Sequence, residues 1–172
     1  MNAADSTAHH APHLQLMRET ASQDTDRDAA AAGLLLLWLG DDALQLVNAS
    51  LSRHGLSENK LQVLLLFRLH EQGLFGEAPP TPSSIADYCG ITRASATGLL
   101  DWLEKRDWVA RAPHPSDRRS LQLRLTEAAR TLLAEALPGF WRACARVTDA
   151  LSAEEKSQLL RLLSKMQQAG LR

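Results

Sequence analysis

Residues 81–125 combine two short helical segments with two short β segments, and this order constrains the fold more than any other feature of the chain. Thr81 followed by Pro82 predicts a helix start, and Gly90 predicts its end after about two turns. Thr92 then caps a second helix, predicted through residue 106. Its apolar side chains recur at helical spacing, so one stripe is predicted to be buried and the opposite face to be free; they are Ala96, Leu99, Leu100 and Leu103.

Two strands are predicted after these helices. Residues 108–112 form a short β segment, and residues 121–125 alternate leucine with polar side chains, as in a half-buried strand. The intervening residues 113–119 contain two prolines, which cannot serve a sheet ladder, so this segment is predicted to loop out as a long basic tip. A helix, a tight turn, a second helix and a β-hairpin together make a winged helix-turn-helix.

This arrangement suggests DNA binding, because a helix in the major groove reads base edges near its N-terminal end. Asp117, Arg118 and Arg119 lie in the predicted tip, where arginine is expected to enter the minor groove. Ser83 and Ser84, at the start of the preceding helix, are predicted to meet a phosphate. An ordinary bundle helix would not explain the basic tip. The predicted groove-facing residues are Thr92, Arg93, Ala94, Ser95, Thr97 and Gly98.

Helical segments on both sides of this unit carry more apolar surface than a small winged helix can cover. Residues 34–39 are apolar all round, which requires cover from the chain itself or from a partner. We therefore expect a homodimer and a mainly α fold with a small β-wing. The N-terminal tail holds His9, His10 and His13, interpreted as tail histidines rather than metal ligands. The predicted organisation is a flexible tail over residues 1–27, a dimerisation helix over 28–56, the DNA-binding domain over 57–125 and C-terminal dimerisation helices over 126–172.

The net charge of −1 argues at first against a nucleic-acid partner, whose binding surface is usually basic. The distribution of charge answers this objection. Residues 92–124 carry seven basic and four acidic side chains, whereas residues 1–60 carry four basic and eight acidic ones. Positive charge is thus concentrated in the segment predicted to contact DNA.

Several function classes are not favoured by the sequence. Cys89 and Cys144 form neither a disulfide framework nor a thiolate metal site, which fits a reducing cytoplasm. The longest apolar run, residues 29–39, is shorter than the roughly 18–20 residues of a membrane span, so no membrane association is predicted. Phosphate-loop, nucleophile-elbow and zinc-protease motifs do not occur, so neither an enzyme nor a cofactor is predicted.

Residues 57–169 resemble the MarR family of bacterial transcriptional regulators over about two thirds of the chain. The matching run is TRASATGLLDWLEKRDWVARAPHPSDRRSLQLRLTEAAR. The Asp-x-Arg signature of the family's wing falls on Asp117 and Arg119. The resemblance implies a homodimer on a pseudopalindromic operator and repression relieved by a small ligand. Two positions depart from the pattern: Asp107 replaces a usual glycine, and Gly98 lies inside the recognition helix.

Family members often bind aromatic carboxylates or phenols, and this chain offers Trp38, Arg68, His70 and Trp108 as candidate ligand residues. Core or interface packing explains the two tryptophans better than ligand binding does, and a solvated helix position explains Arg68 and His70 better. Two alternative functions stay open at this point. One is a thiol-based redox sensor using Cys89 or Cys144, and the other is a winged-helix protein-interaction module that does not bind DNA.

Overall fold

The computed structural model describes residues 3–76, 78–113 and 121–170. Within these ranges the chain is mostly helical with one two-stranded sheet, which confirms the predicted fold class. The chain divides into two compact units, Met1–Gln45 and Leu46–Arg172, which are described separately. The elements are α1 (Ala3–Thr20), α2 (Arg27–Ser52), α3 (Glu58–Glu71), α4 (Pro82–Cys89), α5 (Arg93–Glu104), β1 (Val109–Pro113), β2 (Leu121–Leu125), α6 (Glu127–Arg146) and α7 (Ala153–Ala169).

The tight turn between α4 and α5 has the predicted chemistry. The Thr81 hydroxyl accepts a hydrogen bond from the backbone N–H of Ser84 at 3.2 Å, and the Ser84 hydroxyl accepts one from the backbone N–H of Thr81 at 2.9 Å. Gly90 ends α4 with φ of 64°, a left-handed conformation that glycine adopts without steric cost. Thr92 caps α5 by accepting from the N–H of Ser95 at 3.1 Å.

The core of the second unit forms where α3, α4 and α5 pack together with the hairpin. The predicted stripe of α5 faces this core, with Ala96, Leu100 and Leu103 buried and Leu99 half-buried. Each fully buried leucine stabilises the fold by about 1.5–3 kcal/mol relative to an exposed one. Burial of one face therefore fixes the rotation of α5 about its axis. Other buried members of the cluster include Leu51, Leu61, Leu64, Phe67, Ile85, Val109, Leu125 and Leu133.

The hairpin is antiparallel, with Val109 opposite Leu125 and Pro113 opposite Leu121. Its first strand starts one residue later than predicted and extends to Pro113, which the sequence assigned to the loop. A proline at the end of a strand is tolerated because its missing N–H removes at most the outermost ladder hydrogen bond. The predicted tip residues Asp117, Arg118 and Arg119 lie outside the described residues.

The junction of α5 with the hairpin depends on Asp107, which has φ of 57°. Aspartate tolerates this left-handed conformation better than most residues with a Cβ. The Thr126 hydroxyl donates to the Asp107 carbonyl at 2.5 Å and accepts from the N–H of Ala129 at 3.2 Å. Thr126 therefore joins this turn to the start of α6.

The sequence after Thr126 predicts a helix to about residue 151, bent at residues 137–139, and then a last helix opened by a capping box at residues 152–155. In the structure α6 ends earlier, at Arg146, and the chain makes a turn before α7. Pro138 lies inside α6, where it removes one backbone hydrogen bond. The capping box of α7 is confirmed, because Ser152 and Glu155 exchange hydrogen bonds at 2.8 and 3.3 Å.

Helix α1, Ala3–Thr20, lies within the segment over residues 1–27 that the sequence predicts to be a flexible tail. Alanine, leucine, methionine and glutamine are good helix formers, and together they accommodate Pro12 within the helix. His10 stacks on Trp38 of α2 with ring centroids 4.1 Å apart, and His13 meets the same indole edge-on at 5.9 Å. These ring contacts join α1 to α2 within the first unit.

Helix α2 is long and apolar enough to cross a membrane by length and composition, although its longest apolar run is short. The mean hydropathy stays high over 18 consecutive residues of this 26-residue helix, a stretch longer than the uninterrupted apolar run. At its C-terminal end Val47 and Leu51 are buried in the second unit. Its exposed leucines Leu35, Leu37 and Leu39 are about half to two thirds accessible. The helix therefore presents the apolar surface that the sequence predicted to need cover.

A group of ion pairs joins the end of α3 to the start of α6. Glu71 accepts from Arg130 at 2.6 Å and from Arg68 at 3.2 Å, and Arg130 also pairs with Glu127 at 3.1 Å. Arg130 donates further to the Leu125 carbonyl at the end of β2. Although burial raises it, hydrogen bonds and charge from Arg130 and Arg68 hold the pKa of Glu71 below its usual value.

We expect Glu71→Gln to lower the free energy of unfolding by about 1 kcal/mol at neutral pH, since it removes the charge shared by two arginines. Because the folded pKa of Glu71 is depressed, its contribution is fully present above the unfolded value of about 4.5 and is lost as the pH falls through the folded pKa. Urea unfolding of wild type and variant at both ends of this window measures the difference. Glu135→Gln, at an exposed position without an ion pair to the described residues, is the control. An equal difference at both pH values would contradict the assignment.

Candidate nucleic-acid interface

The N-terminal half of α5 presents a free surface of small polar side chains. All six predicted groove-facing residues are exposed, while Ala96 on the opposite face is fully buried. A Cβ added at Gly98 would meet no heavy atom within 4 Å, so this position is open. The surface therefore allows close approach of a flat partner such as the edges of base pairs. The exposed residues are Thr92, Arg93, Ala94, Ser95, Thr97 and Gly98.

The hydroxyl groups on this surface are hydrogen-bonded within the helix. Thr97 donates its hydroxyl proton to the Arg93 carbonyl at 2.9 Å, and the hydroxyls of Thr92 and Ser95 lie 2.9 Å apart. The oxygen of Thr97 retains acceptor capacity, which suits the amino groups of adenine and cytosine. The guanidinium of Arg93 is exposed and supplies the donors of this surface.

The structure limits the role predicted for the two serines of α4. Ser84 uses both its hydroxyl and its backbone N–H in the capping box with Thr81. Ser83 is half-buried in the first turn, where a helix leaves backbone N–H groups without helical partners. For the phosphate contact that the sequence predicts, Ser83 and the backbone are therefore better placed than Ser84.

Trp108 belongs to a cluster of aromatic and cationic side chains at the base of the hairpin. Its ring meets that of Trp102 edge-on at 5.4 Å. Lys60 and Arg106 lie over the Trp102 ring at 3.9 and 4.0 Å. These contacts join the start of α3, the end of α5 and the start of the hairpin. They give Trp108 a packing role in this structure.

The other three predicted ligand residues also have partners. Trp38 belongs to the first unit, where it contacts His10 and His13. In the second unit Arg68 pairs with Glu71, and the Nδ1 atom of His70 lies 3.3 Å from the carbonyl oxygen of Phe75. Within the second unit, Arg68, His70 and Trp108 line none of the three cavities for which lining residues are given below.

A cleft of about 230 Å³ lies instead between α3, α4 and α6. It is mostly apolar, and its aromatic members are Tyr88, Phe140 and Trp141. Tyr88 and Trp141 are each 55% exposed, unusual for large aromatic side chains. The sequence analysis missed these residues as ligand candidates, although the adjacent aromatic pair in α6 was a signal. The remaining lining residues are Leu61, Gln62, Leu65, Leu66 and Leu69.

A second cavity, of about 390 Å³, lies under the start of α5 and is lined partly by Cys89, Ser95 and Gly98. Burial, with a smaller effect of the Glu58 charge, raises the pKa of the Cys89 thiol. Burial also raises the pKa of Cys144 in α6. Both thiols therefore carry less thiolate at neutral pH than a free cysteine does.

Comparison with known proteins assigns this geometry to a family. Residues 59–121 match the model of the MarR family. The HTH-type transcriptional repressor YetL of Bacillus subtilis is 30% identical over 159 residues, covering 90% of each chain.

Three solved structures share the fold. A cysteine-to-serine mutant of Escherichia coli MarR complexed with operator DNA is 24% identical with a TM-score of 0.66, covering 83% of this chain and 98% of its own. The MarR family protein Rv2887 of Mycobacterium tuberculosis, in complex with p-aminosalicylic acid, is 28% identical with a TM-score of 0.61. The match covers 77% of this chain and 95% of Rv2887. CouR of Rhodococcus jostii RHA1, bound to p-coumaroyl-CoA, is 26% identical with a TM-score of 0.63, and the match covers 84% of this chain and 93% of CouR. The chain therefore belongs to the MarR family of transcriptional regulators.

Proposed function

We propose that this MarR-family regulator is a cytoplasmic homodimeric repressor that binds a pseudopalindromic DNA operator and is released by a small aromatic or phenolic ligand. The observation that carries the proposal is the free, small and polar face of α5 opposite its buried stripe. Similarity to a repressor across 90% of the chain supports the same function. Packing against α3 and α4 holds this face in a fixed orientation, as recognition requires.

Exposed apolar side chains support the homodimer. Leu160, Leu162 and Leu163 of α7 are between 42% and 68% exposed in the single chain, and Trp141 of α6 is 55% exposed. Apolar patches of this kind mark interfaces. Two-fold symmetry places two recognition helices into successive major grooves about 10 base pairs apart. The apolar surface of α2 is then covered by protein, which agrees with a cytoplasmic rather than a membrane location.

The cleft between α3, α4 and α6 is the proposed ligand site. Its aromatic lining suits the ring of a salicylate or coumarate, and the Tyr88 hydroxyl and Gln62 amide supply polar groups. Two structural relatives carry p-aminosalicylic acid and p-coumaroyl-CoA. Because α4 belongs to the helix-turn-helix and α6 lies outside it, a ligand between them changes the orientation of the DNA-binding elements.

Neither alternative function gains support. A thiol sensor requires reactive thiolate, whereas burial raises the pKa of both Cys89 and Cys144. A protein-interaction module has no need of a recognition helix whose exposed face is small and polar, with positive charge concentrated in residues 92–124.

Arg93→Ala and Arg119→Ala are each expected to weaken binding to DNA duplexes selected from random sequence with the wild-type protein. A bidentate base contact contributes about 1–3 kcal/mol, so Arg93→Ala lowers affinity roughly 10-fold or more. Fluorescence anisotropy measures the affinity, and circular dichroism verifies folding. Arg161→Ala removes the same charge from the exposed surface of α7 and serves as the control. Failure of the wild type to select any sequence would favour the interaction module, and unchanged affinity of both variants would overturn the assigned surface.

Salicylate is expected to raise the melting temperature of the wild-type protein and to release it from DNA. Leu65→Trp fills the cleft, so this variant loses both responses while retaining DNA affinity in the absence of salicylate. Leu74→Trp, at an exposed position outside the cleft lining, is the control and keeps both responses. Thermal melting and anisotropy provide the two measurements. A full response in Leu65→Trp would exclude the cleft.

Iodoacetamide is expected to alkylate Cys89 and Cys144 at neutral pH at least about 10-fold more slowly in the folded protein than in concentrated urea, because thiolate is the reacting form. The rate rises as the pH is brought above the ordinary thiol pKa of 9.0, since the folded pKa lies higher. Mass spectrometry of digests resolves the two sites. Alkylation of either thiol as fast in the folded protein as in urea would restore the redox alternative.

A further inference from the structure

A groove lined by three arginines runs between the C-terminal part of α2 and α6. Its volume is about 430 Å³, separate from the aromatic cleft. The lining residues of each wall follow one another at three, four and seven positions. One wall consists of Leu46, Ala49 and Ser50 of α2 together with Arg53, which directly follows the end of that helix, and the α6 wall consists of Gly139, Arg142, Ala143 and Arg146.

The arginines of this groove are among those of the second unit that form no ion pair with a described residue. Arg68, Arg111 and Arg130 each pair with a glutamate at 3.2 Å or less. Arg142 and Arg146 form no ion pair with any described residue, and the Nε atom of Arg53 donates to the His54 ring at 3.1 Å. The groove lining contains no carboxylate. Three positive charges therefore face one concavity without a described counter-charge.

Gly139 shapes one end of the groove. A Cβ at this position would lie 2.8 Å from the Nη2 atom of Arg53, so the absence of a side chain lets the guanidinium lie against α6. Arg142 and Arg146 follow Gly139 by three and seven residues, roughly 4.5 and 10.5 Å further along the helix axis. The positive charge is thus spread along the groove rather than gathered at one point.

This spread of charge selects the chemistry of the occupant. A single carboxylate is satisfied by one guanidinium, whereas several anionic groups in a row match several guanidiniums. Arginine binds phosphate oxygens with two parallel hydrogen bonds, and the small residues Ala49, Gly139 and Ala143 leave room for the ligand. Cations at helix C-termini stabilise helices, which accounts in part for Arg53 and Arg146, but Arg142 lies a full turn before the end of α6.

We propose that this groove binds a small molecule carrying two or more linked phosphate groups. Binding at the groove does not depend on the proposed repressor function. The groove and the aromatic cleft share α6, since Gly139 and Arg142 line the groove while Phe140 and Trp141 line the cleft. The two sites therefore lie on different sides of the same helical turn.

Isothermal titration calorimetry with tripolyphosphate, pyrophosphate and inorganic phosphate tests the proposal on the whole chain. In about 150 mM salt, where the Debye length is roughly 8 Å, nonspecific attraction is reduced. We expect saturable binding that strengthens in the order phosphate, pyrophosphate, tripolyphosphate. Arg142→Ala lowers tripolyphosphate affinity at least 10-fold, and Arg142→Lys lowers it less because the charge stays while the planar fork is lost.

Two further variants separate a built site from general positive charge. Gly139→Ala displaces the flexible end of Arg53 without removing its charge, so we expect a 2- to 5-fold loss of affinity, small against the loss for Arg142→Ala. Arg161→Ala, which removes one exposed charge outside the groove, leaves affinity unchanged. Circular dichroism and urea unfolding verify that each variant folds.

Several outcomes would overturn the proposal. Absence of saturable tripolyphosphate binding to the wild type rejects it directly, and an equal loss in Arg161→Ala reduces it to nonspecific attraction. If Arg142→Ala binds tripolyphosphate normally but becomes monomeric in light scattering, the groove is a subunit contact. If Arg142→Ala binds tripolyphosphate normally but loses affinity for selected DNA, it is a DNA-backbone contact. These outcomes decide only whether the groove binds polyphosphate, whereas the Arg93, Arg119 and Leu65 variants test the proposed repressor function separately.

Discussion

Burial of the apolar stripe of α5 is the interaction on which the rest of the structure depends. Ala96 and Leu103 have no exposed surface, and they lie against a core built by α3, α4 and the hairpin. Because the stripe is held inward, the residues at the intervening helical positions must point outward. The surface proposed to face DNA is therefore a consequence of packing. A change that rotates α5 about its axis would also turn Arg93 and Thr97 away from their present outward positions.

The turns on either side of α5 preserve that orientation. Gly90 supplies the left-handed residue between α4 and α5, and Asp107 supplies the one between α5 and the hairpin. Thr126 joins the second turn to α6, and the ion pairs of Glu71 with Arg130 join α6 to α3. These contacts connect α6 to the helix-turn-helix. The proposed coupling of a ligand beside α6 to DNA binding runs through them.

Helix α6 contributes residues to the proposed ligand cleft, to the proposed polyphosphate groove and to the proposed subunit interface. Phe140 and Trp141 line the aromatic cleft, Arg142 and Arg146 line the basic groove, and Trp141 is largely exposed. Pro138 removes one internal hydrogen bond just before this stretch, which makes the helix easier to bend near the residues that line the two cavities. The groove and the cleft thus use different residues of one helix, whereas Trp141 belongs both to the cleft lining and to the exposed surface proposed for the partner subunit.

The sequence by itself determined the local features of this protein. Thr81 with Pro82, Gly90 and Thr92 defined the tight turn, and the spacing of Ala96, Leu100 and Leu103 defined the buried face of α5, because caps and periodicity act over a few residues. Tertiary structure decided the rest. Contacts of His10 and His13 with Trp38 join α1 to α2, and the cleft and the groove combine side chains from segments separated by many tens of residues. Gly139 shows the reason most clearly. A Cβ there would meet the guanidinium of Arg53, 86 positions earlier, and only the tertiary fold brings these two residues together.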